Sequence, residues 1–250
     1  MIKETDIKKI KETAKVFLRL PVHSVSGLPE EIYVLHPFFE SCFIAYKDGK
    51  ISDIRKEENL KKAYEIWDNH IDKCPKFSNI CTLMNKAYRL TFMDYCISYL
   101  SKKDFSKALA DNWINSENPN KDVNVSRKKF ISWFKKADKN CLMSEKEFKI
   151  YENIPDTITL YRGIGSKSEK LGLSWTDSYD NALWFANRFG EGYIVSVQAK
   201  KEDIFCYFDS RGENEYVLDV FKYKDNIKKV SLCSEKQEED FDNPDEELDR

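Results

Sequence analysis

Three short segments in the C-terminal half carry residue types that can act together on a charged substrate. They are Leu160-Tyr161-Arg162-Gly163, Gly172-Leu173-Ser174-Trp175-Thr176 and Arg211-Gly212-Glu213-Asn214-Glu215. An arginine can grip a phosphate with two parallel hydrogen bonds. Carboxylates can stabilise a developing cation and orient an acceptor. In an extended chain residues i and i+2 share a face, so Glu213 and Glu215 should point one way, with Tyr216 and Leu218 on the other side. Ser174 and Thr176 should pair likewise. Taken singly, each segment has a plainer reading. Arginines at strand ends are usually solvated, Ser-x-Thr before a helix usually belongs to an N-cap, and Glu-x-Glu commonly marks a charged loop.

Familiar nucleotide and hydrolase signatures fail. Gly163-Ile164-Gly165 lacks the third glycine of a dinucleotide fingerprint, and Gly172 is out of register. There is no phosphate-binding GxxxxGK[ST] loop and no G-x-S-x-G elbow. The histidines His23, His36 and His70 are scattered, and no cysteine or histidine spacing suits zinc, so no metal is expected.

The elements around these segments divide the chain. Ile7, Ile10, Ala14, Phe17 and Leu18 recur at helical spacing before Pro21. Leu60 to Ile71 predicts a second helix, Leu83 to Leu100 a third and longer one, and Phe130 to Ala137 another with Ser126 as N-cap. Cys42–Tyr46 before Lys47-Asp48-Gly49 reads as a short strand entering a turn. From Pro155 the pattern becomes strand-like at 157–161, 193–199, 204–208 and 216–221, with one helix over 182–189 after Asp177-Ser178. No internal repeat of 20–50 residues is present.

The 250 residues bear a net charge of −2, which argues against a globally basic nucleic-acid binder. The balance is uneven. Residues 234–250 hold nine acids and two bases, a net of −7, leaving +5 on residues 1–233. This tail is expected to be disordered. The seven cysteines include no C-x-x-C pair and suggest a reducing compartment. No apolar run is long enough to span a membrane, and the charged N-terminus lacks a signal-peptide core. A cytoplasmic protein is the expectation. The Lys-, Ile- and Asn-rich usage suggests an AT-rich bacterium or phage.

The order LYRG, GLSWT, ExE resembles the Arg–Ser–Glu class of ADP-ribosyltransferases, which includes bacterial toxins and phage-encoded enzymes. The resemblance covers roughly residues 155–222, and the ExE pair running into aliphatic residues is its most diagnostic part. It implies an α+β chain: a mainly helical N-terminal half, then a split β-sandwich core clasping NAD. The boundaries expected are 1–102 for the helical region, 103–233 for the catalytic domain and 234–250 for the acidic tail. The resemblance assigns Arg162 to the NAD phosphates and nicotinamide ribose, and Gly163 to the nicotinamide amide. It assigns Ser174 and Thr176 to the strand that shapes the site, with Ser174 bonded to the catalytic glutamate. Glu215 matches that glutamate. Glu213 matches the upstream position, where glutamate goes with arginine acceptors.

The implied activity is mono-ADP-ribosyl transfer from NAD, as co-substrate, to a macromolecular acceptor, chiefly protein arginine, with release of nicotinamide. No metal and no membrane is involved. Two other readings stay open: an NAD glycohydrolase, in which water replaces the acceptor, and a non-catalytic binding module of the same fold. A nucleic-acid acceptor is also open, because Lys and aromatic residues interleave over Arg127–Lys136; the plainer reading there is an amphipathic helix with a solvated lysine face. Tyr161, Trp175, Phe189 and Tyr193 are candidates to stack on nicotinamide, each also a core candidate.

Overall fold

A computed structural model describes residues 2–230, apart from 26, 28–31, 47–48, 117–118, 120–121, 167 and 169. The acidic tail and Cys233 lie outside the described residues. Mixed helix and sheet make the chain α+β.

The first helix, α1 (Ile7–Leu18), is capped by Asp6, whose side chain accepts from Lys9 N–H. It buries the predicted stripe Ile10, Ala14, Phe17 and Leu18. Two small antiparallel hairpins follow. One pairs β1 (His23–Ser24) with β2 (Val34–Leu35), the other β3 (Phe43–Ala45) with β4 (Ile51–Asp53). The helix α2 (Glu57–Lys73) ends before Pro75 as expected.

The long helix expected over 83–100 is instead broken in two, α3 (Phe77–Leu83) and α4 (Lys86–Cys96), with a 3-10 turn at Ile97–Tyr99. Met84 and Asn85 are extended. The Asn85 side chain donates to the carbonyls of His36 and Phe39, and its N–H to that of Pro37. This tertiary anchor overrides the helical period.

Four more helices lead into the sheet. The first is α5 (Lys102–Asn115), which the sequence reading did not single out. The others are α6 (Arg127–Lys136), α7 (Lys139–Leu142) and α8 (Glu145–Glu152). Ser126 does cap α6, accepting from Lys129 N–H. The aromatic residues of α6 face inward: Phe130, Trp133 and Phe134 are all buried. Two of its lysines form ion pairs, Lys129 with Asp94 and Lys135 with Asp219. The interleaved pattern is therefore an amphipathic helix whose aromatic side is packed inward.

The main sheet is antiparallel. Its strands are β5 (Thr157–Ile164), β6 (Ser174–Thr176), β7 (Tyr193–Lys200), β8 (Ile204–Phe208), β9 (Glu215–Leu218) and β10 (Lys228–Val230). Their order is β10-β7-β5-β6-β9-β8. The strand expected over 216–221 is shorter and turns 3-10 at Val220–Tyr223. The helix α9 (Tyr179–Asn187), capped by Ser178, lies against β5 and β7.

Most of the core is one cluster running from Ile10 to Tyr223, so the helices and the sheet share their interior. Trp113 on α5 meets Phe130 and Phe134 edge-on, both at 5.1 Å, and Phe134 stacks on Phe205 of β8 at 5.8 Å. A smaller cluster of Ala182, Ala186 and Ile194 seals α9 to the sheet.

The join between β5 and β6 positions the site. β5 pairs with β7 along eight residues, but with β6 only through Tyr161↔Thr176. The sheet is thus two three-stranded wings hinged on one pair. Thr176 pairs in turn with Glu215 of β9. Residues opposite one another in antiparallel strands share a face, so Tyr161, Thr176 and Glu215 form one row. Ser174 joins that face by the two-residue period.

Candidate functional site

A cleft opens at this seam. All six residues singled out from the sequence line it: Arg162, Gly163, Ser174, Thr176, Glu213 and Glu215. Trp113, Tyr161, Arg188 and Arg211 line it too. Three separate strand ends and the loop before β9 are brought to one place.

Arg162 sits at the edge of β5 and donates from Nη1 to the Ser174 carbonyl of β6, bridging the two wings. Gly172 makes this position accessible. A Cβ built there would lie 2.2 Å from Arg162 Nη2 and 2.4 Å from its Cζ. The indole N–H of Trp175 donates to the Gly172 carbonyl at 2.9 Å and fixes the loop under the guanidinium. Gly172 opens the GLSWT segment, but the sequence assigns it no part in holding Arg162.

The contact gives a prediction. In Gly172→Ala the methyl meets the far end of a flexible side chain, so the fold survives and Arg162 is displaced. Losing one charge-assisted hydrogen bond is worth about 1.5–3 kcal/mol, or roughly a 10- to 150-fold weaker Kd for an anionic ligand held by this guanidinium. Titration of the variant with a phosphate-bearing nucleotide, beside a melting curve near wild type, checks this. Unchanged affinity would show that Arg162 does not hold such a ligand.

Gly163 answers a different need. A Cβ there would lie 2.1 Å from the Ala182 carbonyl oxygen and 2.4 Å from Ala186 N. Both are backbone atoms of α9, so only glycine lets that helix lie so close to β5.

Glu215 is the best-held group in the cleft. Trp113 Nε1–H donates to Glu215 Oε1 at 2.9 Å, and the Ser174 side chain bonds the same carboxylate. Burial raises the Glu215 pKa above the ordinary carboxylate value. The bonds from Ser174 and Trp113 oppose that rise, the negative Glu213 adds to it, and Arg211 lowers it. The carboxylate is therefore oriented by two neutral donors rather than locked in an ion pair.

Thr176 Oγ1 accepts from the N–H of Ser178, the cap of α9. Its hydroxyl thus links the site strand to the helix start. The plain N-cap reading belongs to Ser178, while Ser174 and Thr176 lie on β6.

Glu213 reaches the cleft by a route other than the expected one. It precedes β9, and Asn214 between the two glutamates has a left-handed φ of 47°. Tyr216 and Leu218 are buried, but so is Val217 between them. The pair Glu213/Glu215 is set by a turn, not by strand alternation. Asn214 holds that turn, donating to Asp177 Oδ1 and accepting from the Tyr207 hydroxyl. Asp177 also accepts from the Tyr216 hydroxyl at 2.9 Å.

Of the aromatic candidates, Trp175 is core and only 2% exposed, whereas Phe189 is 55% exposed at the cleft. Arg188 lies 5.1 Å from the Phe189 ring and 5.2 Å from that of Trp184. Tyr161 lines the cleft against Tyr179, and Tyr193 is part-buried outside it. Phe185, not singled out before, also lines the cleft. Among the described residues no group of three or more His, Cys, Asp or Glu could hold a metal, and no helix is long and apolar enough to cross a membrane.

No protein-family model, curated protein or solved structure matches this chain.

Proposed function

We propose that the chain is an NAD-dependent mono-ADP-ribosyltransferase that transfers ADP-ribose to a macromolecular acceptor, chiefly protein arginine. One observation carries the reading. An arginine, a hydroxyl and a carboxylate from three different strands converge on one cleft, with Ser174 bonded to Glu215. The strands that carry these groups, β5, β6 and β9, are neighbours in one continuous six-stranded antiparallel sheet rather than in two separate sheets, and a single residue pair joins β5 to β6 beside the cleft.

The charges suit the substrate. The pyrophosphate of NAD is dianionic, and Arg162 and Arg188 both face the cleft. Tyr161, Phe185 and Phe189 offer apolar faces for the nicotinamide ring. As the bond from ribose to nicotinamide breaks, positive charge builds on the ribose. Glu215 is held by two donors where it can stabilise that charge without reorganising. Glu213 then orients the acceptor and takes its proton. The six described cysteines are free, which suits a reducing compartment that supplies NAD.

The test is direct. The purified chain is incubated with NAD, with and without bacterial lysate, and free nicotinamide and protein-bound ADP-ribose are followed. Release with lysate-dependent transfer is the expected result, and mass spectrometry then names the acceptor. Release without transfer, to lysate or to the chain itself, makes the enzyme a glycohydrolase. A folded chain that binds NAD and releases nothing is a binding module, and the transferase reading fails.

A further inference from the structure

The carboxylate assigned to the acceptor is already bonded to an arginine. Arg211 Nη2 donates to Glu213 Oε2 at 2.8 Å. Both side chains are part-exposed, and both line the cleft that holds Glu215. The Arg211 charge reaches far enough to be felt at the Glu215 carboxyl.

A surface ion pair is usually a loose contact. This one sits on a shaped loop. Gly212 has φ of 68° and Asn214 φ of 47°, which fold the segment back on itself. The Gly212 carbonyl accepts from the Asn181 side chain of α9. Asn214 is tied to Asp177 and Tyr207 on its other side. The loop therefore presents a guanidinium to the carboxylate from within the chain, in the pairing an arginine acceptor would make.

We propose that Arg211 is itself a modification site: the chain transfers ADP-ribose from NAD to its own Arg211. The inference rests on the NAD-cleaving reading above. The step balances simply. Arg211 Nη2 gives a proton to Glu213 as its nitrogen pair forms the bond to C1′ of the nicotinamide ribose. The C1′–nicotinamide bond breaks, and its electron pair leaves with the ring as neutral nicotinamide. One NAD and one arginine give ADP-ribosyl-Arg211, nicotinamide and one proton, which Glu213 passes to water.

The experiment uses the full chain and NAD alone. Nicotinamide is measured, and the protein is analysed by intact mass and by peptide mapping across 205–220. The expected result is one ADP-ribose per chain on Arg211. The fraction modified per unit time is unchanged on dilution, because acceptor and site share a chain. In Arg211→Lys, shown folded by its melting curve, the adduct is lost. Nicotinamide release without an adduct on Arg211 overturns the proposal and leaves NAD cleavage standing. So does an adduct whose rate falls with dilution. A folded wild-type chain that releases no nicotinamide overturns the NAD-cleaving reading first, and this inference with it.

Discussion

Replacing Glu215 with Gln slows nicotinamide release by on the order of 10²–10³, the usual loss when one preorganised group is removed from a developing charge. Glutamine keeps the size of the side chain, and its amide oxygen can still accept from Trp113 Nε1–H, now 2.9 Å from the carboxylate. What is lost is the negative charge. The same substitution should not weaken the fold. Burial raises the Glu215 pKa, so the folded chain binds that proton more tightly than the unfolded chain does. Ionisation at Glu215 therefore lowers stability as the pH rises from the unfolded value through the folded one, and the penalty is complete above the folded value. Below the unfolded value, about 4.3, the carboxyl is protonated in both states and this penalty vanishes. The variant should melt at or above wild type near neutral pH, and level with it in acid. Slow release beside an undiminished melting temperature separates a catalytic loss from a folding loss. Release at the wild-type rate would take Glu215 out of the chemistry.

The residues of the cleft were legible because each has a distinctive neighbour in the chain: Arg162 before Gly163, Ser174 two before Thr176, Glu213 two before Glu215. Their convergence was expected only through the family resemblance, not from any local pattern. It depends on a register in which Tyr161, Thr176 and Glu215 fall in one row across three strands, and no local pattern states a register. The route to Glu213 was misread for a related reason. Period-two reasoning assumes extended backbone, whereas Asn214 is left-handed and bonded to Asp177, 37 positions away. The break at Asn85 has the same character, since its anchors are the carbonyls of His36 and Phe39.

Gly172 shows a second limit. Its importance lies in what its missing side chain leaves room for, and that is the Arg162 guanidinium. A glycine at this position carries no φ signature, so nothing in the residue or its neighbours announces the contact. The helices α1, α2 and α6, by contrast, were visible in their apolar spacing because each buries one stripe against the shared core. α5 was not singled out, although Ser101 caps it and Asp104 follows in its first turn. Its buried residues include Ser106 and Asn112, which blur the apolar stripe.

That omission hid Trp113, and Trp113→Phe is the variant in which the helices should be felt at the site. The residue is 1% exposed and carries one polar atom, which is spent on Glu215. Phenylalanine keeps a ring against Phe130 and Phe134 and removes the N–H donor. Alanine would be a poor probe, since truncating a buried tryptophan costs about 3–5 kcal/mol of stability by itself. A hydrogen bond to a charged group is worth about 1.5–3 kcal/mol, so nicotinamide release should fall roughly 10- to 150-fold where Glu215 must be ionised. The pH profile discriminates this from mere loosening. The Trp113 bond lowers the Glu215 pKa against burial, so deleting it lets that pKa rise further. The acid limb of the rate profile should move to higher pH in Trp113→Phe, and part of the lost rate should return as the pH is raised. A packing defect alone would lower the rate at every pH and leave the limb in place. With Ser174 as the remaining donor, Ser174→Ala should move the limb in the same direction, and the double variant further still.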